Sequence, residues 1–244
     1  MTDTQRFLFI HVMKTAGATF RQHLRHTFDP AERYPNPELE TVPAVEFNLL
    51  VDYVSGLPAE RRQAIRSYAG HFPYLLAARL PQPVRTYTIL RDPVDRVLSY
   101  LKQRRGELGA SSLDEVYDDE FTRQTLLDNH QVKVFSLTED DRPESIMDIV
   151  RLDDDRLQAA CANLDRIDVV GVTERYPEFC AQIERQFGWT LGPVPDRRVA
   201  EPVDVSDSLR ARIAVDNTLD LELHRYATSL VDARDRSIPA TRGS

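Results

Sequence analysis

The segment that most constrains the fold is the apolar run from Arg6 to Val12, together with the turn and the helix pattern that follow it. Four successive apolar residues in this run are typical of a strand that is buried on both faces, as in a parallel sheet. The turn, 13–19, consists mainly of small residues, and an amphipathic helix pattern follows it. That helix has an apolar residue every four positions: Phe20, Leu24 and Phe28. Strand, tight turn and helix in this order open many nucleotide-binding α/β domains.

Three further stretches predict strands. Val84 to Leu90 is rich in β-branched residues, and Ile167 to Val172 is a second apolar run of the buried-strand type. Ser67 to Phe72 predicts a shorter strand. The range 29–43 is rich in Pro and Glu and is interpreted as a loop.

Helix signals separate these strands. Asp92 is placed to cap a helix that begins at Pro93, where the missing N–H costs nothing. A second helix is expected over 121–137, and a third is expected from Pro177 to a stop at Gly188. Ser206 is the predicted cap of one long final helix that runs to about Leu230. The range 45–65 has only a weak and interrupted helical pattern.

The alternation of strands and helices predicts the fold class and the domain organisation. We expect an α/β fold in a single domain, with a mostly parallel central sheet flanked by helices and a P-loop-like nucleotide-binding core. A chain of 244 residues is long enough for one such domain with a large core. No internal repeat or clear linker is visible. The expected domain covers 1–234, and 235–244 is expected to be a disordered tail.

Composition excludes some classes of function. The net charge of −8 argues against nucleic-acid binding, which requires a basic surface. No apolar run reaches the roughly 20 residues of a membrane span, and the N-terminus has no signal-peptide pattern. We therefore expect a cytoplasmic protein without stable membrane insertion. The two cysteines, Cys161 and Cys180, have no zinc-site spacing, and no cluster of metal ligands is apparent.

The turn at 14–19 has the composition of a phosphate-binding loop. Small residues let backbone N–H groups approach an anion, and the N-terminus of the following helix adds about half a positive charge. Lys14 supplies a mobile full charge, and Thr15 and Thr19 supply hydroxyl donors. The P-loop pattern GxxxxGK[ST] is absent, because Lys14 precedes Gly17 by three positions, and this disfavours an ordinary ATP-binding loop. The alternative interpretation is a tight turn with a solvated lysine.

A second candidate phosphate site follows the predicted strand Val84 to Leu90. Arg91 comes directly after it, at the edge of a parallel sheet where such folds bind ligands, and a guanidinium fork suits a phosphate. Ser99 lies about two helical turns further on and is a candidate second donor. The alternative is that Arg91 pairs with Asp92 or Asp95 at the start of the helix.

Together, KTAGATF at 14–20 and ILRDPVDRVLSY at 89–100 resemble the two signatures of the sulfotransferases that use 3′-phosphoadenosine 5′-phosphosulfate (PAPS). Within that family the chain looks most similar to the carbohydrate group that includes the uronyl 2-O-sulfotransferases. The resemblance implies that the first segment binds the 5′-phosphosulfate and the second the 3′-phosphate. The donor-binding residues that it implies are Lys14, Thr15, Ala16, Gly17, Ala18, Thr19, Phe20, Arg91 and Ser99. Ala18 departs from the pattern, since many members have Ser or Thr there.

Three weaker similarities extend the match. Gly70-His71-Phe72 resembles the segment that carries the catalytic histidine of the carbohydrate group. The segment 128–131, Asp-Asn-His-Gln, resembles an asparagine–glutamine segment near the family's active site, and 170–175 resembles a late strand and turn.

The chemistry implied by the resemblance assigns two catalytic residues, Lys14 and His71. By analogy with phosphoryl transfer, the protein must align the reactants and neutralise charge on the departing phosphate oxygen, and Lys14 is placed for that task. The acceptor hydroxyl needs a general base, and a histidine suits this role at neutral pH. His71 is the first choice, and His11 and His130 are alternatives. The other histidines, His23, His26 and His224, are expected to be ordinary surface residues.

The predicted function is transfer of a sulfuryl group from PAPS to a hydroxyl acceptor, with release of 3′-phosphoadenosine 5′-phosphate (PAP) and without a metal. Arg197 and Arg198 are expected to close over the nucleotide; the alternative is solvated charge. A carbohydrate or glycosylated small molecule is the favoured acceptor, with a lipid-linked sugar, a secondary metabolite and a protein tyrosine left open. Two other functions are weighed: a small-molecule kinase that uses ATP, and a nucleotide-binding module without catalysis.

Overall fold

The computed structural model describes residues 5–40, 42–193 and 204–236. Its strands form one sheet of five, and every pairing in it is parallel. The strands are β1 Arg6–Ile10, β2 Arg33–Tyr34, β3 Ser67–Tyr68, β4 Val84–Leu90 and β5 Val169–Val172. Their order across the sheet is β2-β3-β1-β4-β5. The predicted α/β class and parallel sheet are confirmed.

Helices cover both faces of this sheet. They are α1 Gly17–Thr27, α2 Ala44–Leu49, α3 Val51–Ser55, α4 Ala59–Ala64, α5 Leu76–Arg79, α6 Pro93–Leu108, α7 Leu113–Tyr117, α8 Glu120–Thr122, α9 His130–Ser136, α10 Asp154–Arg166, α11 Tyr176–Phe187, α12 Asp207–Asp216 and α13 Thr218–Arg236. A π-helical turn, Arg123–Leu127, follows α8. Single 3₁₀ turns occur at Pro30–Glu32, Glu139–Asp141 and Thr173–Arg175. Within the described residues, no helix has both the length and the apolar character that crossing a membrane requires.

Alternation along β1 builds the two layers of the core. Leu8 and Ile10 belong to a cluster that extends to residues of α9, α10 and α13 on one face of the sheet. Phe7 and Phe9 face the other side and pack with residues of α1 and α11. Burying a side chain of this size contributes about 1.5–3 kcal/mol, so β1 is fixed between two apolar layers. Its carboxyl end, which leads into the predicted phosphate loop, is therefore held rigidly.

Local signals set several of the element boundaries as predicted. The Asp92 carboxylate accepts a hydrogen bond from the Asp95 N–H, and Pro93 is the first residue of α6. Gly188 ends α11 in the left-handed region at φ 70°. The Ser206 hydroxyl accepts from the Leu209 N–H and caps α12.

Three expectations about the elements are wrong. The range 29–43, interpreted as a loop, contains the two-residue edge strand β2. The helix expected over 121–137 is interrupted at Asp128 and Asn129, because Asn129 adopts φ 47° and starts α9 as a separate helix. The long final helix is divided between α12 and α13 at Asn217.

The two interruptions contact each other, which explains both. The Asn129 N–H donates to the Asn217 side-chain oxygen at 2.9 Å, and the Asn129 amide donates to the Asp216 carbonyl at 3.1 Å. The Asn129 oxygen in turn accepts from the Asp220 N–H at 3.0 Å. Each asparagine thus satisfies backbone groups that the break in the other helix leaves without an intrahelical partner.

Candidate active site

The candidate site lies at the carboxyl ends of β1 and β4, the two central strands. The chain leaves β1 toward β2 on one side of the sheet and leaves β4 toward β5 on the other. Such a reversal opens a crevice between the two strand ends, and ligands of open α/β sheets bind there. The loop after β1 and the residue pair Arg91 and Asp92 after β4 both lie at this crevice.

The loop after β1 turns tightly through two left-handed residues. Lys14 has φ 68° and Ala16 has φ 64°, and Ala16 is the N-cap of α1 without a capping side chain. The first turn of α1 contains no acidic residue. Its backbone N–H groups are therefore left to bind an anion, and the helix dipole favours a negative charge there.

Gly17 is required by close packing rather than by its backbone angles. A Cβ atom at this position would lie 1.8 Å from Nε2 of His11, so the imidazole of His11 rests directly on the start of α1. Thr15 is fully buried, and its hydroxyl donates to the Val12 carbonyl at 2.8 Å. The proton of this hydroxyl is used inside the loop, so the hydroxyl donor expected of Thr15 is not free for a ligand, whereas Thr19 stays partly exposed.

Lys14 extends from the loop to α6. Its ammonium donates to the Gln103 side-chain oxygen at 2.6 Å, and burial followed by the charge of Arg91 lowers its pKa. Ser99 lies one turn before Gln103 and so shares the same helix face, which places the predicted second donor on the side of α6 that meets Lys14. Ser99 is partly buried and lies four residues before the partner of Lys14 on α6.

Arg91 joins the two candidate phosphate segments. One guanidinium nitrogen, Nη1, donates to the Lys14 carbonyl at 3.2 Å across the crevice. The Gln131 side chain accepts from the Arg91 N–H at 3.1 Å and donates to the Arg91 carbonyl at 2.9 Å. Among the described residues Arg91 has no carboxylate within ion-pair distance, so the alternative pairing with Asp92 or Asp95 is not observed.

His71 lies beside the loop, three residues after β3, the other neighbour of β1. Its Nδ1 is 3.0 Å from the His11 carbonyl, which can only accept, so Nδ1 carries the proton and Nε2 keeps a lone pair. Burial lowers the pKa of His71 to about 4, with a further lowering by Arg21 and an opposing effect of the bond to the His11 carbonyl. The imidazole is therefore neutral near pH 7, the form that a general base requires.

The other two candidate bases are less accessible. His11 is 4% exposed, stacks on Phe9, and lies 4.1 Å from the His71 ring between centroids. His130 is fully buried, and its Nδ1 lies 3.2 Å from the Thr125 carbonyl, inside the core beside the π-helical turn. Burial lowers the pKa of both histidines well below the usual value.

The expectation that the remaining histidines are surface residues is partly wrong. His23 is 1% exposed, and its Nδ1 meets the Leu191 carbonyl at 2.7 Å. This bond, between positions 168 residues apart, has no signal in the local sequence. His26 is exposed as expected, and His224 is partly buried beside Glu174 at 3.5 Å.

Two residues at the site were missed. Arg21 is partly buried on α1, one turn after Gly17, and has no hydrogen bond or ion pair within the described part of the chain. Its charge lowers the pKa of both His11 and His71, and the i, i+4 spacing from Gly17 was an available signal. Gln131 was noticed only as part of a segment, and its partner, 40 residues away, was not predictable.

The late segment 170–175 also reaches the crevice. The Thr173 hydroxyl donates to the Leu90 carbonyl at 3.0 Å, and a Glu174 oxygen accepts from the Asp92 N–H at 3.3 Å. The predicted nucleotide-closing residues Arg197 and Arg198 lie outside the described residues. Across 5–40, 42–193 and 204–236, no group of three or more His, Cys, Asp or Glu side chains could hold a metal ion.

Comparison with known proteins finds similarity among solved structures. No protein-family model matches the chain, and no curated protein sequence matches it. Among solved structures, the crystal structure of a sulfotransferase from Alicyclobacillus acidocaldarius is similar over 93% of this chain and 96% of that chain, with a TM-score of 0.49 and 16% sequence identity. At this distance the likeness says nothing about chemistry, and the functional argument depends on the geometry of the site.

Proposed function

We propose that this protein is a PAPS-dependent sulfotransferase that transfers a sulfuryl group to a hydroxyl acceptor and releases PAP. The observation that supports this most is the contact between Arg91 and the Lys14 carbonyl at 3.2 Å. It brings together two segments that each suit an anion and that resemble the 5′- and 3′-phosphate signatures of this family. A nucleotide with phosphates at both ends of its ribose fits such a paired site better than one with a single phosphate chain.

In the proposed complex the loop and α6 form the donor site. The segment Lys14 to Phe20 surrounds the 5′-phosphosulfate, and Arg91 with Ser99 binds the 3′-phosphate. Arg197 and Arg198 add charge from the segment after α11, as the sequence suggests. The N-terminus of α1 supplies backbone donors, because no side chain among the described residues caps it.

The proposed transfer takes place in one step. A bond forms between the acceptor oxygen and sulfur while the bond from sulfur to the bridging 5′-phosphate oxygen breaks. The hydroxyl proton passes to Nε2 of His71, which keeps its lone pair because Nδ1 is bonded to the His11 carbonyl. The charge that develops on the departing phosphate oxygen is met by Lys14, whose ammonium has three donors and can add this bond to the one with Gln103.

The favoured acceptor is a carbohydrate or a glycosylated small molecule. Support comes from the resemblance of Gly70-His71-Phe72 and 89–100 to the carbohydrate group. We also propose a cytoplasmic location and a single domain over 1–234. The acceptor class is tested by a transfer assay with radiolabelled PAPS across sugar, lipid-linked sugar, phenol and peptide acceptors.

Nucleotide choice tests the function itself. PAP should raise the unfolding temperature much more than AMP or ATP, and it should do so without magnesium. A ligand at a hundredfold excess over its Kd, bound only by the folded state, adds about 2.7 kcal/mol to the free energy of unfolding. Equal shifts of the unfolding temperature with AMP and PAP would contradict a second phosphate site. Magnesium-dependent ATP turnover would indicate a kinase.

A further inference from the structure

Gln131 holds the backbone of the residue that carries the candidate 3′-phosphate site. β4 ends at Leu90, which pairs with Val172 of β5, so Arg91 is the first residue beyond the strand. Its N–H and carbonyl are met by one planar group, the Gln131 carboxamide, at 3.1 and 2.9 Å. A carboxamide suits this task because it combines a donor and an acceptor side by side. Gln131 thus replaces the neighbouring strand that Arg91 lacks.

The position of Gln131 is itself fixed from α13. The buried carboxylate of Asp220 accepts from the Gln131 N–H at 3.0 Å and from the Val132 N–H at 2.7 Å. Gln131 is completely buried, and so is Asp220. A buried amide held at its backbone and at both ends of its side chain has no rotational freedom, so it transmits a fixed orientation to Arg91.

That orientation sets the position from which the Arg91 side chain extends. With its backbone fixed at the end of β4, Arg91 reaches across the crevice to the Lys14 carbonyl. A charge-assisted hydrogen bond depends steeply on donor angle, so a change in the Arg91 backbone would weaken a bond from this side chain to an anion.

We propose that Gln131 is a positioning residue that sets the preference of the site for a nucleotide with a 3′-phosphate. It acts through Arg91 and touches no substrate. The inference rests on the proposed function, because it concerns the same donor site. It differs from a purely structural role in its consequence, which is a change in the ratio of two ligand affinities rather than in stability alone.

The test compares PAP and AMP affinities by calorimetry in the full-length protein. Gln131→Met keeps the length of the side chain but removes both bonds, and it should reduce the PAP-to-AMP preference by about tenfold, the factor for one charge-assisted bond. Asn163→Leu is the matched control, since the Asn163 amide donates to the Phe135 carbonyl at 2.7 Å near the opposite end of α9. It should leave the preference unchanged, whatever it does to stability.

A double substitution identifies the route. In an Arg91→Ala background, Gln131→Met should change the preference no further, because the two residues act in series. A wild-type protein that prefers PAP, together with a Gln131→Met variant that keeps this preference, would overturn the inference alone. A wild-type protein without the preference would overturn the proposed function as well.

A measurement on the wild-type protein covers the case in which Gln131→Met does not fold. The Arg91 backbone amide should exchange with solvent as slowly as that of Ile89 inside β4, and PAP should slow it further while AMP should not. Fast exchange at Arg91, or an equal effect of the two nucleotides, would contradict the positioning role.

Discussion

His71 is the residue whose chemistry the structure defines most closely. The His11 carbonyl fixes its tautomer, and His71 is only partly buried as a residue while His130 is fully buried. His71→Ala should reduce single-turnover transfer by roughly 10²–10⁴-fold, the usual effect of losing a general base. The affinity for PAP should stay nearly unchanged, because the base meets the acceptor proton.

The controls for His71 are the two neighbouring candidates. His11→Ala opens a cavity beneath Gly17 and should weaken PAP binding together with transfer, because the ring supports the start of α1. His130→Ala should act mainly on stability. Near-normal transfer by His71→Ala would eliminate it as the base.

The pH dependence of transfer follows from the charges around His71. Burial first, and then Arg21, lowers its pKa to about 4, and a bound anionic donor favours the protonated form and raises it again. Single-turnover transfer should therefore rise with pH through a pKa between about 4 and the unperturbed value of about 6.5. Arg21→Ala removes a positive charge and should shift this limb to higher pH. Arg25→Ala, one turn further along α1 and exposed, should leave the pH at which the transfer rate rises unchanged. An unchanged pH dependence in Arg21→Ala would disprove the effect of Arg21 on His71.

At the scale of elements, α6 and the end of β4 should together determine nucleotide choice. Arg91→Ala should weaken PAP by on the order of ten- to a hundredfold and AMP hardly at all, since a charge-assisted bond contributes roughly 1.5–3 kcal/mol. Ser99→Ala should have the same effect more weakly, and Arg91→Lys should fall between, because it keeps the charge and loses the fork. Calorimetric titration of both nucleotides measures this. A double variant with its PAP-to-AMP preference intact would refute the assignment.

The elements also show which sequence signals are sufficient. β4 begins and ends as predicted at Val84 and Leu90, because a β-branched run followed by Asp92 and Pro93 contains both the strand and its stop. The prediction of one helix over 121–137 was wrong because the signal for its interruption lies in a distant part of the sequence. Asn129 adopts φ 47° in contact with Asn217, 88 residues further along the chain.

For the whole molecule, buried histidines predict acid sensitivity. The pKa values of His11, His71 and His130 are all lowered in the folded state, chiefly by burial. Between the unfolded pKa of about 6.5 and the folded values, the unfolded chain binds more protons, so stability is full above pH 6.5 and is lost as pH falls.

Each such histidine contributes a slope of roughly 1.4 kcal/mol per pH unit in that window. Urea unfolding at pH 7 and pH 5 measures the combined loss in the free energy of unfolding. The buried Asp220, whose pKa is raised by burial, acts in the opposite direction at the acid end. His130→Gln should reduce the slope, and His26→Gln, at an exposed position, should not. A slope that His130→Gln leaves unchanged would show that this histidine is not buried in its neutral form.

The sequence alone predicted the parallel α/β sheet, the phosphate-type loop after β1 and the candidate residues Lys14 and Arg91, because hydrophobic periodicity, caps and small-residue turns are local properties. His71 was predicted from the resemblance of Gly70-His71-Phe72 to a family segment. The sequence did not show which of the three histidines is accessible, or which residues Gln131 and Arg21 act on, since burial and partners depend on which segments meet in space. The bond from Gln131 to Arg91 spans 40 residues, and the contact of Arg91 with Lys14 spans 77. Periodicity specifies which face of an element is buried, whereas only the packed sheet specifies what that face touches.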